Sequence, residues 1–579
     1  MRNKPKNNSK INNKNILLAV GAVASAATIA TIATKKIKHK AEIETLPFTY
    51  MDHGDKQVYF IGGGLASLAG AAYLIRDCNF KGENIHIIEG MHILGGSNDG
   101  SGDAENGFIC RGGRMLNEET YENFWELFSS IPSLDYPNKS VTEEILNFDH
   151  LHPTHAQARL VDKYGIIQDV TSMGFNNEDR MALGKLIITP EEKLDNMTIE
   201  QWFRHTPHFF KTNFWYMWQT TFAFQKWSSL FEFKRYMERM IFEFSRIETL
   251  EGVTRTPYNQ YESVILPLKA YLDKFNVDFS INATVTDLDF KPSEGITVTA
   301  IHLEDSEGEK VIELKEEDVC IMTNGCMTDS TTLGDFNTPP EYRPDNPISS
   351  NLWSKIAKKK IGLGNPEPFF RNPEETNWES FTVTCKGNKL LKLIEKFSGN
   401  IPGSGALMTF KDSSWLMSIV VAAQPHFKNQ PLDTTIFWGY GLYTNNIGDY
   451  VKKPMRDCTG EEILIELLHH LHMEDKLDEI KDTIVNVIPC MMPYIDAQFQ
   501  PRKMSDRPEV IPKGSTNFAM ISQFVEIPED MVFTEEYSVR AARIAIYTLF
   551  NVKHKKVIPV TQYKKDPKIL KEALKTSYR

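Results

Sequence analysis

An α/β fold with a parallel sheet is predicted for this chain, on three observations. A short apolar run at 57–61 (QVYFI) ends in Gly62-Gly63-Gly64; an apolar-periodic segment, LASLAGAAYLIRD, follows it; and a second buried-strand pattern, NIHIIE, occupies 84–89. Strand, glycine turn, helix and strand in that order build a βαβ unit. The glycines approximate GxGxxG, with Ser67 and Gly70 beyond them. Gly62 permits a tight turn, Gly64 lets a pyrophosphate approach the backbone, and the N–H groups opening the helix face its charge. Ser67, where a third glycine is usual, is small enough for close helix–strand packing. Glu89, the acid ending the second strand, is placed to accept ribose hydroxyls.

The segments that follow separate FAD from NAD. Gly95-Gly96-Ser97 stand at the distance typical of FAD-binding folds, where Gly96 and Ser97 flank the flavin's phosphate and ribityl chain. A strand at 277–290 offers Val285 to the adenine, and Thr323-Asn324-Gly325 after a strand at 318–322 resembles the strand-end glycine turn of the same folds. With no second strong GxGxxG, a bound FAD without an NAD(P)H site is expected. A long aromatic, helix-like stretch covers 198–251. The region 345–500 mixes strands such as 415–422 with a helix at 460–471, and 534–550 is an amphipathic helix. No internal repeat is visible, which excludes solenoids and propellers. The expected architecture is therefore a Rossmann-like FAD-binding domain of discontinuous segments, 55–195, 276–340 and 506–552. A mixed helical and β substrate domain, 196–275 and 341–505, completes it, with basic tails at 1–40 and 553–579.

Composition bounds the function. At 579 residues and 41% hydrophobic, the chain can bury large cores in two to four domains. Its seven cysteines are scattered without a CxxC pair, so no metal site or dense disulfide framework is expected and a reducing compartment fits. The formal charge is −11, but residues 1–40 carry nine Lys or Arg and no acid, and residues 553–579 carry nine against Asp566 and Glu572, leaving −27 between them. An acidic body repels nucleic acid, whereas basic ends suit an anionic membrane surface. The nineteen uncharged residues at 16–34 are close to the ~20 that span a bilayer. An N-terminal membrane anchor is the expectation, against a cleaved signal peptide ending near Ala24-Ser25-Ala26 or an interfacial tail. Lysines flank it on both sides; a membrane-associated protein on the cytoplasmic side is the favoured placement. At the other end, Asp566-Pro567 opens a short helix with Ile569, Leu570, Ala573 and Leu574 on one face and Lys568, Lys571 and Lys575 elsewhere. That pattern suits a membrane surface.

From Arg111 the chain reads RGGRMLNEETYENFWELFSSIPSL, and further on TTFAFQKW, EFKRYMERM, YNQYES, TNGCMTDSTTLG, AAQPHFKNQP and ISQFVEIPEDMVFTEEYSVRAA. Over about 58–540 it resembles the oleate hydratases, also called myosin-cross-reactive antigen proteins. The resemblance implies addition of water across an isolated cis double bond of a free unsaturated fatty acid, FAD in its reduced form, and a homodimer. Tyr236, in KRYMERM, matches the family's tyrosine proton donor; Gln260, in YNQYES, and His426, in AAQPHF, match positions used towards the substrate carboxylate. The loop with Arg111, Gly113 and Arg114 is expected against the flavin, with Ser522 and the helix beginning near Thr534 as the last contact.

The chemistry itself asks for a proton donor, a positioned water, tolerance of cationic character and an apolar tunnel with a polar end. The stretch 202–244 supplies aromatics for such a tunnel, including Phe209, Trp215, Trp218, Phe222, Phe224 and Phe233. Three departures bear on the site. Many members have RGGRE, its glutamate proposed to activate the water, but here Met115 holds that position and a thioether takes no proton at neutral pH. Glu118 and Glu119 could substitute if the loop turns them inward. Val420 and Ala422 stand where Thr and Asn are often found before the histidine. Two other functions compete with the hydratase: an FAD oxidoreductase acting on a lipid or amine, and a flavin- and fatty-acid-binding homologue that has lost catalysis.

Overall fold

Five short strands form the parallel sheet expected from the opening segments: β1 (Val58–Ile61), β2 (Ile85–Glu89), β3 (Asp278–Ile281), β4 (Val319–Thr323) and β5 (Phe518–Ile521). Their spatial order is β5-β4-β1-β2-β3, every neighbouring pair parallel, so segments far apart in sequence make one layer. The computed structural model describes residues 53–579 apart from 99, 113, 114, 346 and 406. The tail 1–40 and the expected span at 16–34 lie outside the described residues, as do Gly113 and Arg114. Among the described residues no helix is long and apolar enough to cross a membrane.

Helix α1 (Leu65–Cys78) follows β1 through Gly62, whose φ of +93° suits glycine. It lies so close to the sheet that a Cβ on Gly70 would sit 2.7 Å from the Phe60 ring. The strand expected at 277–290 is two strands: Asn282 turns in the left-handed region (φ 55°), so Asp278–Ile281 joins the parallel sheet and Thr284–Phe290 starts a separate three-stranded sheet. Asparagine tolerates that conformation, which lets the chain change layers within two residues.

A second, seven-stranded sheet runs Thr332–Leu333, Ile484–Met492, Trp378–Lys386, Thr434–Gly441, Met417–Val420, Met408–Phe410 and Leu160–Val161. Leu160–Val161 pairs in parallel with Thr409–Phe410, so part of the 55–195 segment belongs to this sheet. The two layers are tied by the hairpin Gly100–Asp103 and Gly107–Cys110. Its backbone N–H groups at Phe108 and Cys110 donate to Thr384 Oγ1 and Thr382 Oγ1, both at 3.0 Å, and Ser380 Oγ donates to the Arg111 carbonyl at 3.1 Å. Ser380, Thr382 and Thr384, on a strand buried along almost its whole length, therefore have partners, and the Arg111-Gly112 turn is fixed between the layers.

The aromatic stretch 198–251 is several short helices rather than one. They include α2 (Asn213–Phe222), which ends at Ala223 in the left-handed region, and α3 (Leu230–Arg239). All ten residues of α3 are buried, although five are charged. Glu232 pairs with Arg502 (2.9 Å) and Arg507 (3.1 Å), Arg235 with Glu191 (3.1 Å) and Glu526 (2.7 Å), and Arg239 with Glu122 (2.6 Å). The last long helix, α4 (Glu535–Leu549), shares this network through Arg540, which pairs with Glu122 (2.9 Å) and Asp530 (2.8 Å). The C-terminal helix α5 (Pro567–Thr576) has the expected Asp566 cap and packs on Ile241–Ser245, so its apolar face is half-buried against the body. All seven cysteines are thiols.

Removing one partner of a buried pair leaves the other charge unpaired, which costs about 3–5 kcal/mol. Glu232→Ala, which among the described residues leaves Arg507 without an ion pair and Arg502 with Glu526 alone, is expected to lower stability by that order in equilibrium denaturation. A loss under about 1 kcal/mol would contradict the network's role.

Candidate functional site

Three cavities lie in a row between the two sheets. The first is lined by Gly64–Ala66, Gly95–Asn98, Thr323, Gly325, Ser522 and Thr534. It faces the N-termini of α1 and α4, and α1 has no acid in its first turn, so its N–H groups and dipole favour an anion. The expected cofactor residues Gly64, Gly96, Ser97, Thr323, Gly325 and Ser522 line it together. Ser522 Oγ is held 3.0 Å from Asn324 Oδ1, and Arg111 Nη2 donates to the Gly96 carbonyl at 2.5 Å. Glu89 closes the strand as expected. Its Oε2 accepts from the Gly63 N–H at 2.6 Å and its Oε1 from Met91 N–H at 2.8 Å, while burial raises its pKa. Besides Glu89 and Arg111, three more of the expected contacts stand back from the cavity wall. Ser67 is buried, its Oγ 3.4 Å from Thr323 Oγ1, Gly62 forms the turn, and Val285 is buried on the strand that starts beside Glu89.

The empty space of the central cavity, open solvent at its mouth included, is about 1030 Å³. Phe533, Thr534 and Glu535 line both it and the first cavity, so the two adjoin. Tyr236 and Met115 meet here, among Thr220–Ala223, Trp378, Trp438 and Tyr440. Tyr236 is fully buried between Phe222, Phe224 and Phe499, with ring centroids 5.1, 5.1 and 5.8 Å away. Its hydroxyl donates to the Val532 carbonyl at 2.6 Å, and burial first, then nearby phenols and carboxylates, pushes its pKa well above 10. It is a neutral phenol with its proton in place.

Glu118 and Glu119 do not turn inward. Glu118 is exposed, 3.6 Å from His150, and Glu119 pairs with Arg246 at 2.7 Å; both are better solvated or paired there than in an apolar cavity. A different carboxylate lines the central cavity. Glu243 is buried, accepts from Asn117 Nδ2 (3.0 Å) and pairs with Arg246 (2.7 Å); burial raises its pKa although Arg246 opposes this. Tyr236, Met240, Glu243 and Ile247 all line the cavity at i, i+4, i+7 and i+11, the spacing of one helical face. That spacing, read forward from Tyr236, was the sequence signal for Glu243.

Gly112, Val420 and Trp438 are shared by the central and third cavities. The third brings Gln260 and His426 together as expected and adds Arg255, five residues before Gln260 in the same loop. Val420 and Ala422 line it too, leaving it fewer polar groups than Thr and Asn would. Gln260 is 6% exposed and neither atom of its amide has a partner. Burial, then Arg255, pushes the His426 pKa down to about 4.

Comparison with known proteins places these features. The family described as MCRA family matches residues 55–547. A linoleate hydratase of Lactiplantibacillus plantarum is 41% identical over 90% of this chain and 98% of its own length. An oleate hydratase of Streptococcus pyogenes serotype M49 (strain NZ131) is 38% identical over 86% of this chain and 85% of its own. Among solved structures, cyclohexylamine oxidase from Brevibacterium oxydans IH-35A shares the fold, with a TM-score of 0.50 and 12% identity over 86% of this chain and 99% of that one.

An NMR titration is expected to find the His426 ring neutral until about pH 4. With its folded value depressed, the stability it contributes is complete above the unfolded value of ~6.5 and is lost as pH falls from there towards about 4. His426→Gln should flatten the stability profile in that window; a ring midpoint near 6.5 would contradict the burial described.

Proposed function

The chain belongs to the MCRA family, and we propose that it is a fatty acid hydratase, adding water across a cis double bond of a free unsaturated fatty acid to give a hydroxy acid. The observation that carries this reading is the row of cavities. A charged end with Arg255, Gln260 and His426 opens into an apolar chamber holding a neutral phenol and a carboxylate, and the chamber adjoins a cleft shaped for a dinucleotide. The similarity to linoleate and oleate hydratases over most of their length supports it.

The first cavity fits FAD. Two helix N-termini face it, glycine backbone lines it at Gly64, Gly95, Gly96 and Gly325, and a Cβ on Gly96 would lie 3.2 Å from the Gly64 Cα. Gly64, Gly96, Ser97, Thr323, Gly325 and Ser522 would hold the cofactor, with Glu89 on the ribose side. Reduced FAD, when bound, supplies electron density beside a carbon that takes on cationic character.

This chain's own residues divide the remaining work. The apolar walls around Trp378, Trp438 and Tyr440 exclude bulk water and align the acyl chain. Tyr236 gives its phenolic proton to one alkene carbon, while Glu243 orients a water and accepts its proton as the oxygen attacks the other carbon. A phenol this deeply buried is a weak acid, so the protonation needs the simultaneous attack of water and cannot precede it freely. Burial raises the Glu243 carboxyl above its ordinary value, which strengthens it as a base, and the Arg246 ion pair opposes that rise. Met115 fills space beside this water and takes no proton.

The test is product analysis of oleate and linoleate incubated with the full-length protein, FAD and a reductant. A mass gain of one water supports the hydratase, a loss of two hydrogens identifies an oxidoreductase, and unchanged acid identifies a homologue without catalysis. Tyr236→Phe and Glu243→Gln are each expected to lower kcat by about 10²–10⁴-fold, the usual worth of a positioned acid or base. Flavin absorbance should be unchanged. Full activity of either variant would remove that residue from the mechanism.

A further inference from the structure

The third cavity contains a cation that the protein does not neutralise. Arg255 follows Thr254, whose backbone bridges to Leu116 in the Met115 loop, so its position is tied to the central cavity. The residue is half-buried, with Nε donating to Thr154 Oγ1 at 3.2 Å and Nη2 shielded from solvent without a partner. Among the described residues it makes no ion pair. Asp149 is the nearest charge of opposite sign, and its Oδ1 accepts the Arg255 backbone N–H (2.9 Å). His426, on the same wall, is held neutral at ordinary pH, partly by Arg255 itself. Gln260 presents an unpartnered amide to the same space.

A guanidinium whose Nη2 is shielded from solvent without a partner, and which makes no ion pair among the described residues, is poorly compensated in the free protein and is relieved by an anion. The cavity has two free donors for the two oxygens of one carboxylate, Arg255 Nη2 and Gln260 Nε2. The apolar central chamber continues from it on the other side. We propose that Arg255 is the counter-ion of the fatty acid carboxylate and sets the preference for the ionised acid over an alcohol or ester of the same length. This rests on the hydratase reading for its ligand. With His426 neutral, and with Val420 and Ala422 offering no side-chain donor, the charge that recognises the head group belongs to Arg255. Arg255 is a binding and specificity residue and takes no part in the proton transfers.

Laurate and dodecanol, which have no double bond to hydrate, test the assignment apart from catalysis. Equilibrium binding of each to the full-length flavin-loaded protein is measured for wild type, Arg255→Gln and Arg255→Lys. Hydrogen bonds to a charged group imply a preference for laurate of about 10- to 100-fold in the wild type. Arg255→Gln should lose most of that preference, binding dodecanol within about twofold of wild type, and Arg255→Lys should keep part of it. The unliganded Arg255→Gln protein should unfold at or above the wild-type temperature, because an uncompensated charge is gone. A purely structural role predicts the opposite pattern, a lower unfolding temperature and equal loss of both ligands, and that result overturns the proposal. An unchanged laurate-to-dodecanol ratio overturns it as well. If the ratio falls as expected while the wild type leaves oleate unchanged, the hydratase reading fails and the carboxylate site stands. If oleate is hydrated and the ratio is insensitive to Arg255, the reading stands and the assignment fails.

Discussion

Helix α3 is locked to the segments around it by buried charge. Apolar packing alone would let a ten-residue helix rotate or slide, since one hydrophobic contact replaces another at little cost. Glu232, Arg235 and Arg239 each reach a different distant segment, at 502–507, at 526 with 191, and at 122. Those pairings can be satisfied in one rotation and one register only. The cost of leaving any of them unpaired is what fixes the direction of Tyr236, which points from the same helix into the central cavity. Arg540 extends the constraint to α4, whose N-terminal residues line both the first cavity and the central chamber.

The site is built by convergence rather than by any single element. The parallel sheet delivers its glycine turns to one end, the hairpin 100–110 carries Arg111 and Gly112 between the sheets, and the second sheet supplies Trp378, Trp438 and Val420 as walls. The hairpin's hydrogen bonds to Thr382 and Thr384 explain why threonines interrupt a strand that is otherwise buried among apolar groups. Several buried polar atoms without partners line the space where the substrate is proposed to lie, namely the Gln260 amide, Arg255 Nη2 and the indole nitrogens of Trp378 and Trp438; others, such as the carboxylates of Glu379 and Asp496, lie outside it.

Much of this was legible in the sequence because local signals carried it. β1, the glycine turn, α1, β2 and α4 fall within a residue or two of their expected places, as glycine turns and helical periodicity are short-range properties. Tyr236, Met115, Gln260 and His426 line the cavities as the family resemblance implied. Long-range pairing escaped it. Nothing local announces that Leu160–Val161 adds to a strand some 250 positions away, or that Asn282 divides one apolar run between two sheets. Glu118 and Glu119, which could serve only if the loop turned them inward, face outward instead, because Arg246 and solvent offer those acids better surroundings than an apolar chamber. Arg255 went unnoticed for the opposite reason, since a charge in a polar-looking loop reads as solvated until the cavity around it is known; Glu243, seven residues after Tyr236 in the aromatic stretch, carried a signal in its spacing that was not followed.

The central claim is geometric: a carboxylate held at Arg255 and Gln260 fixes how far along the acyl chain Tyr236 and Glu243 act. The most direct measurement is the position of hydration across a panel of cis-monoenoic acids in which chain length and double-bond position are varied independently. The account predicts that the carbons attacked keep one distance from the carboxylate whatever the chain length, and that acids with the double bond elsewhere are bound but left unchanged. A hydroxyl position that tracks the methyl end instead would contradict it.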